Sequence, residues 1–273
     1  MTTCAIGGRK PPAIKRKGLH AMLITVNGLV LHERPAGDKG RFIDVLTQEL
    51  GVAEVFVRGA KKATGTSTCV TQLFSYASFC LEQRGDLYYF QSARPIRIFY
   101  GLRENLDHLS LASYFAELVR LAVPKGRQEN MILRLILNTL HYLTEKKRDE
   151  RLLKPLFELR FASELGLMPD VLMCRRCMDY LPEKLVFSVA EGCFWCEECY
   201  HGEEDTSVFP MSRSGLEMIR HIVLVETDRL FHFRAGGETL DVVSRFAESF
   251  ICHHLSMRPR SLEFYHSIKR NGI

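Results

Sequence analysis

From Met22 to about Phe99, apolar and polar residues alternate in short runs, the period of half-buried strands. The runs are LITVNGLVLHE, RFIDVLTQ, VAEVFVRG, CVTQLFSYASFCLEQ and DLYYFQSARPIRIF. Turn chemistry separates them: PAGDKG, ELG, the polar GAKKATGTST, and an RGD that closes a hairpin. Asn27-Gly28 reads either as a type I′ hairpin turn or as a bulge in one long strand, where Gly28 allows a sharp coil at a barrel corner. The bulge is preferred, because the roughly five residues before Asn27 are too few for a well-paired strand.

After Gly101 the period becomes helical. SLASYFAELVRLAV sets Leu111, Tyr114, Phe115, Leu118 and Leu121 on one face, and ENMILRLILNTLHYLTE repeats the pattern. LLKPLFELRFASELGLMP continues it with Leu153, Phe157, Phe161 and Leu165, until Pro169 and a cysteine-rich segment interrupt. Helical texture resumes in SRSGLEMIRHIVL, with Ser212 as its N-cap, and in TLDVVSRFAESFICHHLSM. Methionine and aromatic positions on these helices are read as core. The basic, Gly/Pro-rich residues 1–20 show no periodic face and read as a disordered tail, with Met22 as the natural start.

Composition narrows the class without deciding it. No apolar run approaches the roughly 18 residues that span a bilayer, and the N-terminus lacks the apolar stretch of a signal peptide. A cytoplasmic, reducing setting is expected, where paired cysteines hold metal more often than they form disulfides. The net charge is +5, yet residues 1–62 carry +6 and the remainder −1. All the excess basicity is therefore N-terminal, which suits an anionic partner there.

Cys174-Arg-Arg-Cys177 and Cys196-Glu-Glu-Cys199 enclose eighteen residues, within the range of a four-thiolate zinc site. Two residues between cysteines let a tight turn present both sulfurs. The intervening LVFSV, the Glu191-Gly192 turn and CFW can form the hairpin that brings the two turns together. Cys193 also stands three before Cys196, but using it would leave Cys199 without its turn partner, so it is left out. Four cysteines close the coordination shell, and a closed shell fastens rather than catalyses. A nucleobase deaminase would need His-x-Glu before Pro-Cys-x-x-Cys; here His201-Gly202-Glu203 follows the cysteines and no proline precedes either pair.

The basic residues fall around two turns of the barrel segment. Arg34, Lys39 and Arg41 flank the first, and Arg58, Lys61 and Lys62 the exit from the third strand. Neutralising about five phosphates there predicts a log–log salt slope of about −3.5 on single strands and about −4.5 on duplex. Phe74, Tyr76, Tyr88, Tyr89 and Phe90 can supply stacking surfaces, but alternation sends about half of them inward, so none is named. GAKKATGTST lacks the Gly-x₄-Gly-Lys-Ser/Thr of a phosphate loop, and neither a Gly-x-Ser-x-Gly elbow nor a His-Glu-x-x-His helix occurs. His253-His254 reads as surface or interface.

The expected fold is α+β: an oligonucleotide-binding (OB) barrel over 22–100, then an all-α helical domain over 101–273 with a Cys4 zinc knuckle, 172–202, inserted. Residues 1–21 stand apart as an extension. ITVNGLVLHERPAGDKGRFIDVLTQELGVAEVFVRGAKK, LFELRFASELGLMP, the double Cys-x-x-Cys and HLSMRPRSLEFY together resemble the DNA repair protein RecO family over roughly residues 22–266. The resemblance implies a recombination mediator rather than an enzyme. It implies binding of single- and double-stranded DNA, and annealing of strands coated by single-strand binding protein. It also implies loading of RecA with the partner RecR. The C-terminal tail of single-strand binding protein, short, acidic and apolar-ended, fits a basic-rimmed groove, and no small-molecule substrate is expected. Cys193 departs from the glycine found there in many members. A zinc-knuckle adaptor that binds only protein, and a hydrolase acting on nucleic acid at the zinc, are the competing readings.

Overall fold

The computed structural model describes residues 22–59, 69–202 and 207–271; the predicted tail, Lys61 and Lys62 lie outside them. Strand β1 (Met22–Pro35) runs unbroken through Asn27-Gly28, so there is no hairpin turn at that point. Gly28 pairs with Thr47 on one side and Ala77 on the other, which makes it the corner at which β1 passes from one sheet to the next. A Cβ there would meet Val45 Cγ1 at 2.4 Å, so the corner needs glycine and no extra residue. The predicted bulge lies instead between Val30 and His32.

With β2 (Gly40–Thr47), β3 (Gly51–Arg58), β4 (Ser75–Arg84) and β5 (Leu87–Ile98), β1 closes a barrel in the order β1-β2-β3-β5-β4. Every junction is antiparallel except β3–β5, which pairs in parallel at Val55–Tyr88 and Phe56–Tyr89. This is an OB-like barrel. The fourth strand starts later than the sequence pattern suggests: Cys69-Val70 is a helical turn, and Phe74, at φ 63°, breaks the extended backbone before Ser75.

Alternation then divides the apolar residues between two cores. Val26, Val30, Ile43, Val45, Val55, Val70, Ala77, Phe79 and Leu81 fill the barrel. Leu29, Leu31, Leu46 and Val52 point out of it on one side and join the larger core built with the helices. These are α1 (Leu106–Ala122), α2 (Asn130–Thr144), α3 (Glu150–Glu164), α4 (Arg213–Leu224), α5 (Gly237–His254) and α6 (Arg260–Asn271). Asn105 caps α1 through His108 N–H at 2.9 Å. Leu121, predicted on the core face of α1, is 46% exposed, because the helix ends one residue later and Val123 turns in to take the buried place. Ser212 does precede α4, but its hydroxyl pairs with Ser214 Oγ at 2.8 Å rather than with an end amide.

Two contacts fix the barrel against the helices. Gly51, at φ +60°, lies so close to the α1–α2 loop that a Cβ would meet the Pro124 carbonyl at 2.3 Å. Gly126 N–H donates to Leu50 O at 2.8 Å and Glu129 N–H to Gln48 O at 3.0 Å.

Helix α3 is buried on all sides from Leu152 to Ala162, charged residues included. Lys154 Nζ lies 2.8 Å from Glu158 and 2.7 Å from Glu248, and Tyr114 OH donates to Glu158 Oε1 at 2.7 Å. Paired in this way, the charges can be tolerated in the interior.

Candidate metal centre and nucleic-acid interface

The segment between α3 and α4 forms a sheet in the order β7-β6-β8, from β6 (Lys184–Ser188), β7 (Cys193–Cys196) and β8 (Val208–Ser212). The expected hairpin is present, with Leu185 opposite Cys196 and Ser188 opposite Cys193. The third strand, β8, carries no cysteine and gave no separate signal.

The thiols of Cys174, Cys177, Cys196 and Cys199 lie within 4.8 Å of one another. Cys177 and Cys196 Sγ are 3.7 Å apart, which matches the sulfur–sulfur edge of about 3.8 Å in a tetrahedron with metal–sulfur bonds of about 2.3 Å. The donor set therefore fits a metal ion. Cys196 N–H donates to Cys174 Sγ at 3.3 Å. Burial raises the Cys174 thiol, but the amides of Cys177, Cys196 and Arg176 outweigh it and bring the pKa to about 6. Cys199 is pushed up to about 12, first by its hydrogen bond with Cys196 and then by desolvation, with repulsion from the Cys174 thiolate adding to both. A cation among the four would remove that repulsion. Cys193 is separate from the cluster; burial pushes it up to about 11, and its sulfur lies 3.9 Å from Glu191.

Two side chains from the helices anchor this module, and the sequence pattern marked neither for that task. Arg220 of α4 is buried and donates to the carbonyls of Val171, Leu172 and Tyr180, each at 2.7 Å, with its guanidinium 4.0 Å above the Tyr180 ring. Of the His253-His254 pair, expected at the surface or an interface, His253 is exposed, while half-buried His254 donates from Nε2–H to Val189 O at 2.8 Å.

The described barrel cations divide by strand phase. Gly59 N–H donates to the Lys39 carbonyl at 2.8 Å, and Gly40 is the cross-strand partner of Arg58. Exposed Lys39 and Arg58 thus share one rim. Arg34 points outward, 2.5 Å from Glu54 and 4.7 Å above the Phe42 ring. Glu54 also lies 3.8 Å from Lys125 of the α1–α2 loop, a neighbouring cation that linear clustering could not show. Arg41 is in phase with inward Ile43 and Val45; it lies 3.3 Å from Glu33 and donates to Thr71 Oγ1. Of the aromatic candidates, Phe74 is buried, Tyr76 packs on the helical core, and Tyr88 and Phe90 pack on the barrel interior.

The family model for the N terminal of recombination protein O matches residues 22–99, and that for its C terminal matches residues 103–263. The chain belongs to the RecO family. Among similar proteins is the DNA repair protein RecO of Alkaliphilus metalliredigens, 30% identical over 234 residues, covering 86% of this chain and 94% of that one. That of Acetivibrio thermocellus is 25% identical over 247 residues, covering 90% and 98%. That of Bacillus subtilis is 28% identical over 218 residues, covering 80% and 84%. Membership makes this a DNA repair protein. No helix among the described residues is long and apolar enough to cross a membrane.

Proposed function

We propose that this RecO family member is a non-enzymatic recombination mediator that binds single- and double-stranded DNA through its barrel and anneals complementary strands. The observation that carries the reading is the OB-like barrel with Lys39 and Arg58 on one rim and outward Arg34 beside it. Lys61 and Lys62 extend the same cationic stretch in sequence. Re-pairing strands breaks no covalent bond. A cationic surface that screens two phosphate chains from each other accelerates their encounter. Four thiolates with no open position suit one structural zinc ion, held by Cys174, Cys177, Cys196 and Cys199. The metal holds the two turns of the module together, and no chemical step runs through it.

In this reading RecR and the acidic tail of single-strand binding protein are protein partners, RecA loading is the outcome, and the protein works in the cytoplasm on the nucleoid. A titration of labelled oligonucleotides at several salt concentrations tests it. The expected slopes are about −3.5 on single strands and about −4.5 on duplex. The triple change Arg58, Lys61 and Lys62 to Ala should weaken both and flatten the slope. Absence of oligonucleotide binding in dilute salt would instead favour the protein-only adaptor.

A further inference from the structure

The outer surface of the barrel carries a lateral row of residues in register. Arg34 of β1 is the cross-strand partner of Phe42 of β2, and Phe42 is the partner of Phe56 of β3. Phe56 pairs with Tyr89 of β5, and Tyr89 with Glu82 of β4. The Phe42 and Phe56 ring centroids are 5.1 Å apart, and those of Phe56 and Tyr89 are 5.8 Å apart. An arginine covers each end: Arg34 lies 4.7 Å from the Phe42 centroid and Arg84 lies 4.8 Å from that of Tyr89. Each of these guanidiniums is also tied to a carboxylate, Glu54 for Arg34 and Glu82 for Arg84.

Packing within the fold does not require this row. The barrel has its own interior, and the outward positions that meet the helices are aliphatic Leu29, Leu31, Leu46 and Val52. The three rings stand on the other outward positions, half-buried against one another and belonging to neither core. We infer that Phe42, Phe56 and Tyr89 form a stacking platform for unpaired nucleobases, with Arg34 and Arg84 moving from the ring faces to the strand's phosphates. The inference rests on the barrel binding nucleic acid and adds what it reads: bases out of a duplex.

The physics favours that ligand. Every base offers a π face, so stacking on aromatic side chains tolerates any sequence, and bases already stacked in a duplex cannot take part. Exposed Arg–carboxylate pairs contribute about 0–1 kcal/mol, so phosphates can displace Glu54 and Glu82 at little cost. A guanidinium lying on an aromatic face occupies the place a base would take.

Phe56→Leu and Tyr89→Leu in the full chain keep apolar bulk while removing the ring. Binding of labelled oligo-dT should weaken roughly tenfold or more in each. Binding of an abasic oligonucleotide of equal length and charge, and the salt slope, should stay unchanged, because both report phosphate contacts. Equal loss on oligo-dT and abasic strands, or no loss on either, overturns the platform. Should the leucine variants melt early, Tyr89→Trp supplies a second reading. Beyond the wild-type signal of Trp195, the chain's single tryptophan, its fluorescence should be quenched by oligo-dT and not by the abasic strand; no quenching overturns the inference. A wild-type chain that binds oligo-dT and abasic strands equally refutes stacking alone. One that binds neither refutes the DNA-binding reading as well.

Discussion

The guanidinium of Arg41 lies 3.3 Å from the carboxylate of Glu33, and that carboxylate also accepts from Leu73 N–H at 2.6 Å. Together with the bond from Arg41 to Thr71, this pair ties β1 and β2 to the segment that leads into β4. Arg41 therefore serves the barrel's end and, in the proposed DNA-binding reading, is less available to phosphates than the exposed Lys39 and Arg58. Arg41→Ala should cost on the order of 1–3 kcal/mol, because it leaves Glu33 without its cation. Melting temperature should fall, while oligonucleotide affinity drops less than in Lys39→Ala or Arg58→Ala. Paired melting curves and titrations on the three variants check the order.

A different arginine fixes the cysteine module to the helices. Arg220 satisfies three carbonyls on the loops that enter and leave the first Cys-x-x-Cys turn. Removing it strands those carbonyls in a partly buried place, so Arg220→Ala should cost on the order of 3 kcal/mol. Arg220→Lys should recover little, since an ammonium cannot reproduce the planar fork and its stacking on Tyr180. Zinc release on mild heating, followed with a chromogenic chelator, should come earlier in both variants than global unfolding does in the wild type.

These two arginines show what the amino-acid sequence made legible. The period of two predicted five barrel strands, and the same period places Arg41 in phase with Ile43 and Val45. Clustering along the chain set Arg41 beside Arg34, but pleating sends the two side chains to opposite faces. The four thiols were legible because ligand spacing is a local constraint. Arg220 and Lys125 were not, since their partners lie 40 or more residues away and nothing local marks them. Phe42 and Phe56 were hidden for a related reason: a platform exists only once strand register brings three strands together. Leu121 failed at a helix end, where periodicity stops being informative.

Loss of one ligand should separate the metal's role from that of the barrel. Cys196 is both a cluster thiol and the cross-strand partner of Leu185, so Cys196→Ser weakens the metal site without altering the hairpin's backbone pairing. Zinc content measured by atomic emission should fall from one ion per chain towards zero. Stability should fall by several kcal/mol, as structural zinc sites contribute strongly to folding. Oligonucleotide affinity measured at low temperature, where the variant stays folded, should change little. A folded Cys196→Ser chain that keeps its full zinc would overturn the ligand assignment.

The buried charges of α3 give the protein a pH signature. Burial pushes the Glu158 carboxyl from its ordinary 4.5 up to about 7, against the pull of Lys154 and of the Tyr114 hydroxyl. Its Oε2 has no hydrogen-bond partner among the described residues, which agrees with a carboxyl that protonates readily. A raised folded pKa means that the native state holds this proton more tightly than the unfolded chain does. Glu158's contribution is then fully present below about pH 4.5 and declines as pH rises through about 7. Glu248 works in the opposite sense: burial raises it, but Lys154 and His266 prevail and hold it below its ordinary value, so its contribution is lost on acidification. Glu158→Gln should therefore remove the decline between pH 5 and 7 and leave the acid-side loss in place. Urea midpoints taken across that range for the wild type and the variant would show it; parallel curves would mean that Lys154 keeps Glu158 ionised throughout.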